Sequence, residues 1–224
     1  MKKLLLTLTS VILVAGVLSL SSCKKEDTTA PTLSVTGGNS QSQSLPSTAG
    51  NGSWTNPTAT ATDDEDGDIS SSITVSGTVD PDTKGTYVLT YSVSDAAGNT
   101  ASETVTVSII NDAEYLAGTH SVIDTCGTQV YTYSQTITTS TDVNNKIHFN
   151  KFADYSDNTT IYATVSGSTI TLPQQTGVDI GTLNEDHQFQ GNGTITGDDF
   201  HLNYTDYNMD NLQTASCSAH FTHQ

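Results

Sequence analysis

The alternation of apolar and polar residues is the feature that most restricts what this chain can fold into. Beyond residue 22, apolar residues recur at every second position in many short segments, as Tyr87, Leu89 and Tyr91 do in "GTYVLTYSV". Successive side chains of a β-strand point to opposite faces, so this period gives each strand one face for a core and one for solvent. No stretch beyond residue 22 follows the 3.6-residue period of a helix. The pattern predicts an all-β protein.

The strand-like segments fall into two units. Residues 30–110 carry short strands whose spacing predicts a β-sandwich, although residues 37–53 are so polar that they predict a loop with at most one edge strand. A linker at 111–114 leads to a second unit at 115–224, where about eight strands follow one another in a meander. These strands are predicted at 118–124, 129–138, 146–152, 159–165, 168–172, 187–196, 199–205 and 214–222.

The first 22 residues are typical of a secretory signal. Lys2 and Lys3 precede an apolar run at 4–20, which is short for a membrane span and has no basic cluster of any size after it. The "LSSC" that ends at Cys23 resembles the lipobox of bacterial lipoproteins, which implies a cysteine that carries acyl chains and anchors residues 23–29 at a membrane. "KKED" at 24–27 resembles the export signal of Bacteroidetes surface lipoproteins, which implies an outer-membrane protein exposed at the cell surface.

The charge of the chain excludes several classes of function. The formal net charge is −17, and loss of Lys2 and Lys3 with the signal makes it −19. Nucleic-acid binding requires basic residues to displace counterions, and the chain has no arginine with which to clamp phosphate or carboxylate groups. An anionic membrane would repel such a chain, so the lipid is its predicted tether. We therefore expect the chain to be held at the membrane by its N-terminal lipid anchor. Its expected partner is an extracellular glycan or protein, not a nucleic acid.

Two cysteines remain once Cys23 is assigned to lipid. Cys126 follows the first predicted strand of the second unit, and Cys217 lies in the last. An exported protein rarely keeps two unpaired thiols, so a Cys126–Cys217 disulfide is predicted, with two buried free thiols as the alternative. A bridge between the first and last strands makes them neighbours, which favours a closed barrel or a curled sandwich.

The inward-facing positions of the second unit are mostly large. This favours an interior filled with side chains over a lipocalin-like cavity. The candidates are Val122, Ile147, Phe149, Ile161, Val165, Ile170, Leu172, Phe189 and Leu202.

Four segments in order carry a family resemblance. "APTL", "ATATDDEDGDIS", "VSGTVD" and "KGTYVLTYSVSDAAGNTASETVTV" together resemble the bacterial surface Ig-like domain found in Bacteroidetes lipoproteins and in a pesticidal crystal protein. The resemblance covers about residues 30–110 and implies an Ig-like β-sandwich that serves as a spacer or display module, in a family without agreed catalytic residues. "EYLAGTHSVIDTCG" resembles the opening of a small uncharacterised Bacteroidetes β domain, which implies no function.

The acidic run "DDEDGD" at 63–68 is a candidate metal site. It is not an EF-hand, because placing Gly67 at loop position six puts Thr62 and Ile73 at the two ligand-bearing ends. If the strands alternate in direction, the loops at 63–71 and 94–101 share one end of the sandwich and could hold calcium between them. The alternative is a solvated turn made by Gly67. The candidate calcium ligands are Asp63, Asp64, Asp66, Asp68, Asp95 and Asn99.

Catalytic motifs are absent from the sequence. It contains no G-x-S-x-G elbow, no H-E-x-x-H and no phosphate-binding glycine loop, which predicts that the chain is not an enzyme. All six histidines lie in the second unit, where they are expected at the surface, with His220-x-x-His223 as an alternative zinc site. Seven of the nine tyrosines also lie there, for packing or for stacking on sugar rings.

The predicted function is therefore a non-enzymatic cell-surface lipoprotein. An Ig-like spacer would present the C-terminal β domain for adhesion or ligand display. Two alternatives are a glycan-binding component of a nutrient-uptake system and a lipocalin-like barrel for a small ligand.

Overall fold

The computed structural model describes residues 25–153, 161–180 and 185–224, so the predicted signal at 1–22 and Cys23 lie outside the described residues. Within this part of the chain the regular structure is almost entirely β-strand, with short 3-10 turns at Ser70–Ser72 and Glu114–Leu116. No helix among the described residues is long and apolar enough to cross a membrane. The all-β prediction is confirmed.

The first domain is a sandwich of two sheets, with strand orders β1-β3-β4 and β2-β7-β6-β5. The polar segment predicted as a loop contains one edge strand, β2, which pairs in parallel with β7. The strands are β1 (Thr32–Val35), β2 (Ser40–Ser44), β3 (Ala59–Asp63), β4 (Gly67–Asp68), β5 (Thr74–Ser76), β6 (Gly85–Ser94) and β7 (Thr100–Ile110).

Alternate residues of β6 and β7 form the core of this sandwich. Leu89 and Tyr91 of β6 and Val105 and Val107 of β7 are all buried. Each such side chain contributes about 1.5–3 kcal/mol by leaving water. The hydroxyl of the buried Tyr91 also has a hydrogen-bond partner, because it donates to the carbonyl oxygen of Pro57 at 2.8 Å. The period-two pattern therefore identifies the core face of these two strands correctly.

The second domain is a closed barrel of eight antiparallel strands. Each strand pairs with the next along the chain, and the last pairs with the first. All eight predicted strands are present, although the fourth starts at Tyr162. The strands are β8 (Gly118–Cys126), β9 (Gln129–Thr139), β10 (Lys146–Phe149), β11 (Tyr162–Ser166), β12 (Thr169–Ile180), β13 (Glu185–Thr196), β14 (Asp199–Asn208) and β15 (Gln213–His223).

A disulfide fastens the seam of the barrel. Cys126 and Cys217 are direct partners in the register of β8 and β15, with Cα atoms 4.1 Å apart, and their sulfurs are bonded. The predicted bridge is confirmed, and the fold is the barrel rather than the curled sandwich.

Side chains fill the described interior of the barrel. All nine residues predicted to face inward are buried. Phe152, which follows β10, lies between them: its ring centroid is 5.2 Å from that of Phe149, 5.2 Å from that of Phe189 and 5.0 Å from that of Tyr204. Aromatic rings at these separations stabilise the fold by more than the burial of their surface alone contributes. The packing matches the filled interior that the sequence predicts.

Asn111 joins the two domains. Its buried side-chain amide donates to the carbonyl oxygens of Ser140, Val143 and Lys146, at 3.0–3.2 Å. Its Oδ1 accepts from the backbone N–H groups of Ala113 and Asn145. One asparagine, directly after the last strand of the sandwich, therefore satisfies backbone groups of the linker and of the barrel, which a flexible linker would leave to water.

An ion pair lies beside this asparagine. The Lys84 ammonium is 2.9 Å from Glu114 Oε2 and also donates to Thr139 Oγ1. Burial opposes ionisation of Glu114, but hydrogen bonds from Thr139 and Lys84 and the Lys84 charge lower its pKa below the usual range. The backbone N–H of Lys84 also donates to the carbonyl oxygen of Thr141. These contacts fix the direction of the barrel relative to the sandwich.

The strand directions give the molecule two ends. β6 starts beside the end of β7 at this junction and runs away from it, which puts the turn at 95–99 at the far pole of the sandwich. β8 starts at the junction and runs to Cys126, so the hairpin turns at 127–128 and 209–212 lie at the opposite end of the barrel. We call the first the stem pole, because residues 25–31 enter there, and the second the distal end.

Candidate functional site

A groove of about 1020 Å³ lies on the outer wall of the barrel, across β12 to β15. We call it the outer groove. None of its lining residues is acidic or a lysine, although the chain carries a net charge of −17. The side chains that face outward into it are Thr169, Thr171, Gln190, Asn192, Thr194, His201, Asn203, Thr205, Ser216 and Ser218.

Glycines on β13 account for the shape of the groove. A Cβ atom at Gly193 would lie 1.8 Å from the carbonyl oxygen of His201, and one at Gly191 would lie 2.3 Å from that of Asn203. The pairing of β12 with β13 also shifts register twice between Leu172 and Val178. Glycine and bulges let strands bend and approach closely. We attribute the concave wall to this bend.

The outer groove offers hydrogen-bond donors and acceptors without formal charge. Asn192 and Asn203 are direct cross-strand partners, and both are exposed. Each amide presents a carbonyl acceptor and an NH₂ donor. Beside them, a hydrogen bond of 2.8 Å joins His201 Nε2 to Ser218 Oγ. Such a surface suits a neutral ligand rich in hydroxyl groups and provides no charge to hold an ion or a phosphate.

A buried polar group lies inside the barrel toward the distal end. Asp124 accepts a hydrogen bond of 2.6 Å from the hydroxyl of Tyr204 and a longer one, 3.4 Å, from that of Tyr133. Burial and the Asp124 carboxylate both raise the pKa of Tyr204, so its phenol remains a donor. The carboxylate is thus held by two phenols, as a buried charge requires.

A second buried pair lies on β13 and β14. His187 Nδ1 is 2.5 Å from Asp206 Oδ1, and its Nε2 is 3.3 Å from the amide nitrogen of Asn208. All three residues are buried. Buried polar groups are generally hydrogen-bonded to one another, and we assign the pair a structural role.

Among the described residues, no histidine belongs to a group of three or more side chains placed to share a metal ion. His120 is buried against Phe200, with ring centroids 5.7 Å apart, and burial lowers its pKa. His220 and His223 lie three positions apart on β15, so their side chains start on opposite faces of the strand. His220 is exposed, whereas His223 Nε2 lies 3.2 Å from the carbonyl oxygen of Ala117. The expectation of six surface histidines is wrong for His120 and His187.

Four large apolar side chains are exposed near the distal end. Val130 and Tyr131 belong to the β8–β9 hairpin, whereas Met209 and Leu212 belong to the β14–β15 hairpin beside it. We call them the distal apolar residues. Of the tyrosines proposed for sugar stacking, Tyr133 and Tyr204 are buried, and Tyr155 lies outside the described residues.

The acidic run forms a turn between β3 and β4. Gly67 takes the positive φ of 73° that the turn requires. Asp63 Oδ1 accepts from the backbone N–H groups of Glu65 and Asp66, both at 3.0 Å. Asp68 Oδ1 accepts from the hydroxyl and the N–H of Ser70, and these hydrogen bonds lower the pKa of Asp68. Several of these carboxylates therefore serve the turn itself.

The turn at 95–99 lies beside the acidic run, at the stem pole. Asp66 Oδ2 accepts from the backbone N–H of Ala96 at 2.7 Å. Asp95 accepts from the N–H groups of Gly98 and Asn99 and from the Asn99 amide. Desolvation opposes ionisation of Asp95, but these hydrogen bonds lower its pKa. Asp66, Asp68, Asp95 and Asn99 are thus engaged in the two turns.

Three other ligand atoms converge at this pole. One carboxylate oxygen from each of Asp27, Asp63 and Asp64 lies within 4.8 Å of the others. Asp63 and Asp64 belong to the predicted calcium set, whereas Asp27 was missed because it precedes the first strand. The structure thus places part of the predicted set around a different centre.

The comparisons with known proteins identify the first domain only. Residues 45–109 match the family model described as "Bacterial surface protein, Ig-like domain". No curated protein matches the chain.

Two solved structures are similar to the chain at a low level. The lipoprotein BT2262 from Bacteroides thetaiotaomicron is 17% identical, with a TM-score of 0.35, over 86% of this chain and 99% of that one. A structure of the CBM51-2 domain, in complex with GlcNAc, and the INT domains from Clostridium perfringens ZmpB is 14% identical, with a TM-score of 0.30, over 86% of this chain and 44% of that one. The family match stands apart from them, and it identifies residues 45–109 as a bacterial surface Ig-like domain.

Proposed function

We propose that this chain is a non-enzymatic cell-surface protein whose Ig-like domain is a spacer and whose barrel binds an extracellular glycan for adhesion. The observation that carries the proposal is the outer groove, which has a volume of about 1020 Å³ and is lined by uncharged, hydrogen-bonding side chains on a strongly acidic chain. A surface role agrees with the family of the first domain.

The arrangement of the domains supports a display role. The bonded junction at Asn111 and Lys84 holds the barrel beyond the sandwich, and the stem enters at the opposite pole. An acylated Cys23 would anchor that stem in the outer membrane, so the barrel would point away from the cell. Lipidation and outer-membrane location are part of the proposal.

The chemistry of the groove supports a neutral glycan as the ligand. Sugar hydroxyl groups both donate and accept, which matches asparagine, glutamine, threonine and serine side chains. Sulfated or uronic-acid glycans would be repelled by the negative field of the whole chain. Inside the barrel, His187 pairs with Asp206 and Asp124 accepts from Tyr204, which supports a binding role over catalysis.

The test is glycan binding by a soluble Cys23→Ser form of the full chain. On an array that contains neutral and acidic polysaccharides, we expect saturable binding to neutral members only. The Asn192→Ala/Asn203→Ala double variant should weaken binding about tenfold, the effect of losing two hydrogen bonds of modest strength. Both asparagines are exposed, so the double variant should fold normally.

A matched pair of threonine variants provides the control. Thr194→Ala removes one hydroxyl group from the outer groove. Thr132→Ala removes one hydroxyl group from the exposed face of β9, on the opposite wall of the barrel. Only the first should weaken binding. Binding that is unchanged in the asparagine double variant, or lost equally in both threonine variants, would contradict a glycan site in the groove.

The distal apolar residues favour a second candidate, adhesion to a protein. Exposed aromatic and aliphatic side chains are common at the centres of protein interfaces. If the ligand is a protein, changing Tyr131 and Leu212 to serine should abolish cell-to-surface attachment while the asparagine double variant keeps it. The opposite pattern would support the groove.

A further inference from the structure

One oxygen of Asp63 has no hydrogen-bond partner although it is shielded from solvent. Its Oδ1 accepts from the N–H groups of Glu65 and Asp66, whereas its Oδ2 is buried and accepts nothing. Leaving a buried carboxylate oxygen unpaired is costly, and native proteins satisfy nearly all such atoms with a protein group, a water or an ion. The atom therefore requires a partner that the polypeptide does not supply.

The surroundings of this oxygen indicate that the partner is a cation. One carboxylate oxygen each from Asp27, Asp63 and Asp64 lies within 4.8 Å of the others. The Lys84–Glu114 and His187–Asp206 ion pairs involve none of these three residues. Three like charges at this separation repel one another, and a divalent cation between them reverses the sign of the interaction.

The backbone around these carboxylates is already organised. Asp27 belongs to the stem before β1, and its carbonyl oxygen accepts a hydrogen bond of 3.3 Å from the Asn99 amide. The acidic turn is bonded in its place by Asp66 Oδ2, which accepts from Ala96. The stem, the acidic turn and the turn at 95–99 thus meet at one pole before any ion binds.

We propose that Asp27, Asp63 and Asp64 bind one divalent cation of the calcium type, which ties the stem to the Ig-like domain. Calcium takes six to eight oxygen ligands and accepts both monodentate and bidentate carboxylates. Asp63 Oδ1 already accepts two hydrogen bonds, so Asp63 offers one oxygen and the three carboxylates together supply up to five, with water completing the shell. The bound ion would set the direction in which the molecule leaves its attachment point, because the stem is the segment that leads to Cys23.

The experiment titrates CaCl₂ into the soluble Cys23→Ser form of the full chain, after EDTA treatment, by calorimetry. Thermal unfolding, followed through the fluorescence of Trp54, gives a second measurement, because the single tryptophan lies in the Ig-like domain. We expect one saturable site and a rise in Tm of about 5 °C or more at saturating calcium, which EDTA reverses. Asp63→Asn and Asp27→Asn should each weaken calcium binding at least about tenfold.

Two further variants keep the test decisive. Asp64→Asn changes an exposed ligand, so it should weaken binding without impairing the fold. Glu65→Gln removes the same charge from the same turn but lies outside the converging set, and it should leave binding unchanged. The proposal is overturned by the absence of saturable binding at 10 mM calcium, or by a Glu65→Gln effect as large as that of Asp64→Asn, which would mean diffuse screening.

Discussion

Loss of the Cys126–Cys217 disulfide is expected to lower the free energy of unfolding of the barrel by about 4 kcal/mol. The bridge closes a loop with a sequence separation of 91 residues, which restricts the conformations of the unfolded chain. Without the bridge, the unfolded chain gains conformational entropy, and folding becomes less favourable. It also joins β8 to β15, where the ladder closes the barrel. The Cys126→Ser/Cys217→Ser double variant tests this in denaturant, with tyrosine fluorescence and circular dichroism as readouts of the barrel.

Trp54 supplies the internal control for this experiment. It is the single tryptophan and packs on the core of the Ig-like domain, so its fluorescence follows that domain. The tryptophan transition should shift less than the barrel transition. A reducing agent added to the natural chain should reproduce the effect of the double variant. A barrel that unfolds at the same denaturant concentration without its bridge would contradict the prediction.

The second large effect is expected from Gly193→Ala, at about 3 kcal/mol of lost stability. The new methyl group would lie 1.8 Å from the carbonyl oxygen of His201 and 2.9 Å from the Cα atom of Leu202. Both are backbone atoms, so β13 and β14 must separate instead of one side chain turning aside. Because these strands carry Asn192 and Asn203, the change should also disturb the outer groove.

Gly85→Ala is the matched control. Gly85 lies in β6, and the three atoms nearest to a Cβ there all belong to the Tyr87 side chain, at 3.5 Å or more. This is an ordinary van der Waals distance, so the control should change stability by less than about 1 kcal/mol, the usual scale of a glycine-to-alanine exchange. Equal stability of the Gly193→Ala and Gly85→Ala proteins would show that the strands of the barrel do not depend on the close approach at Gly193.

The strands and the core could be predicted from the sequence because each depends on a local pattern. Alternation along β6, β7 and the barrel strands identifies the buried face, and the two cysteines identify the seam. β2 is different, because "SQSQS" offers no apolar face. This strand is held by backbone pairing with β7, which the pattern of side chains does not predict.

The candidate sites depend on contacts that a linear pattern does not contain. The side chains of the outer groove look like the solvent face of any strand, and their concave arrangement comes from Gly191, Gly193 and the irregular pairing of β12. Asp27 stands in a stem with no strand pattern, yet the fold brings it to Asp63 and Asp64. Conversely, the acids that looked like ligands, such as Asp68 and Asp95, are engaged by their own turns.

We propose that the barrel is displayed on the outside of the cell with its distal end outermost. An epitope inserted between Asp210 and Asn211, in the exposed turn of the β14–β15 hairpin, tests it by antibody labelling of intact cells. Intact and permeabilised cells should label equally, and Cys23→Ala should move the signal into the medium. An epitope that antibody reaches only after permeabilisation would contradict display at the cell surface.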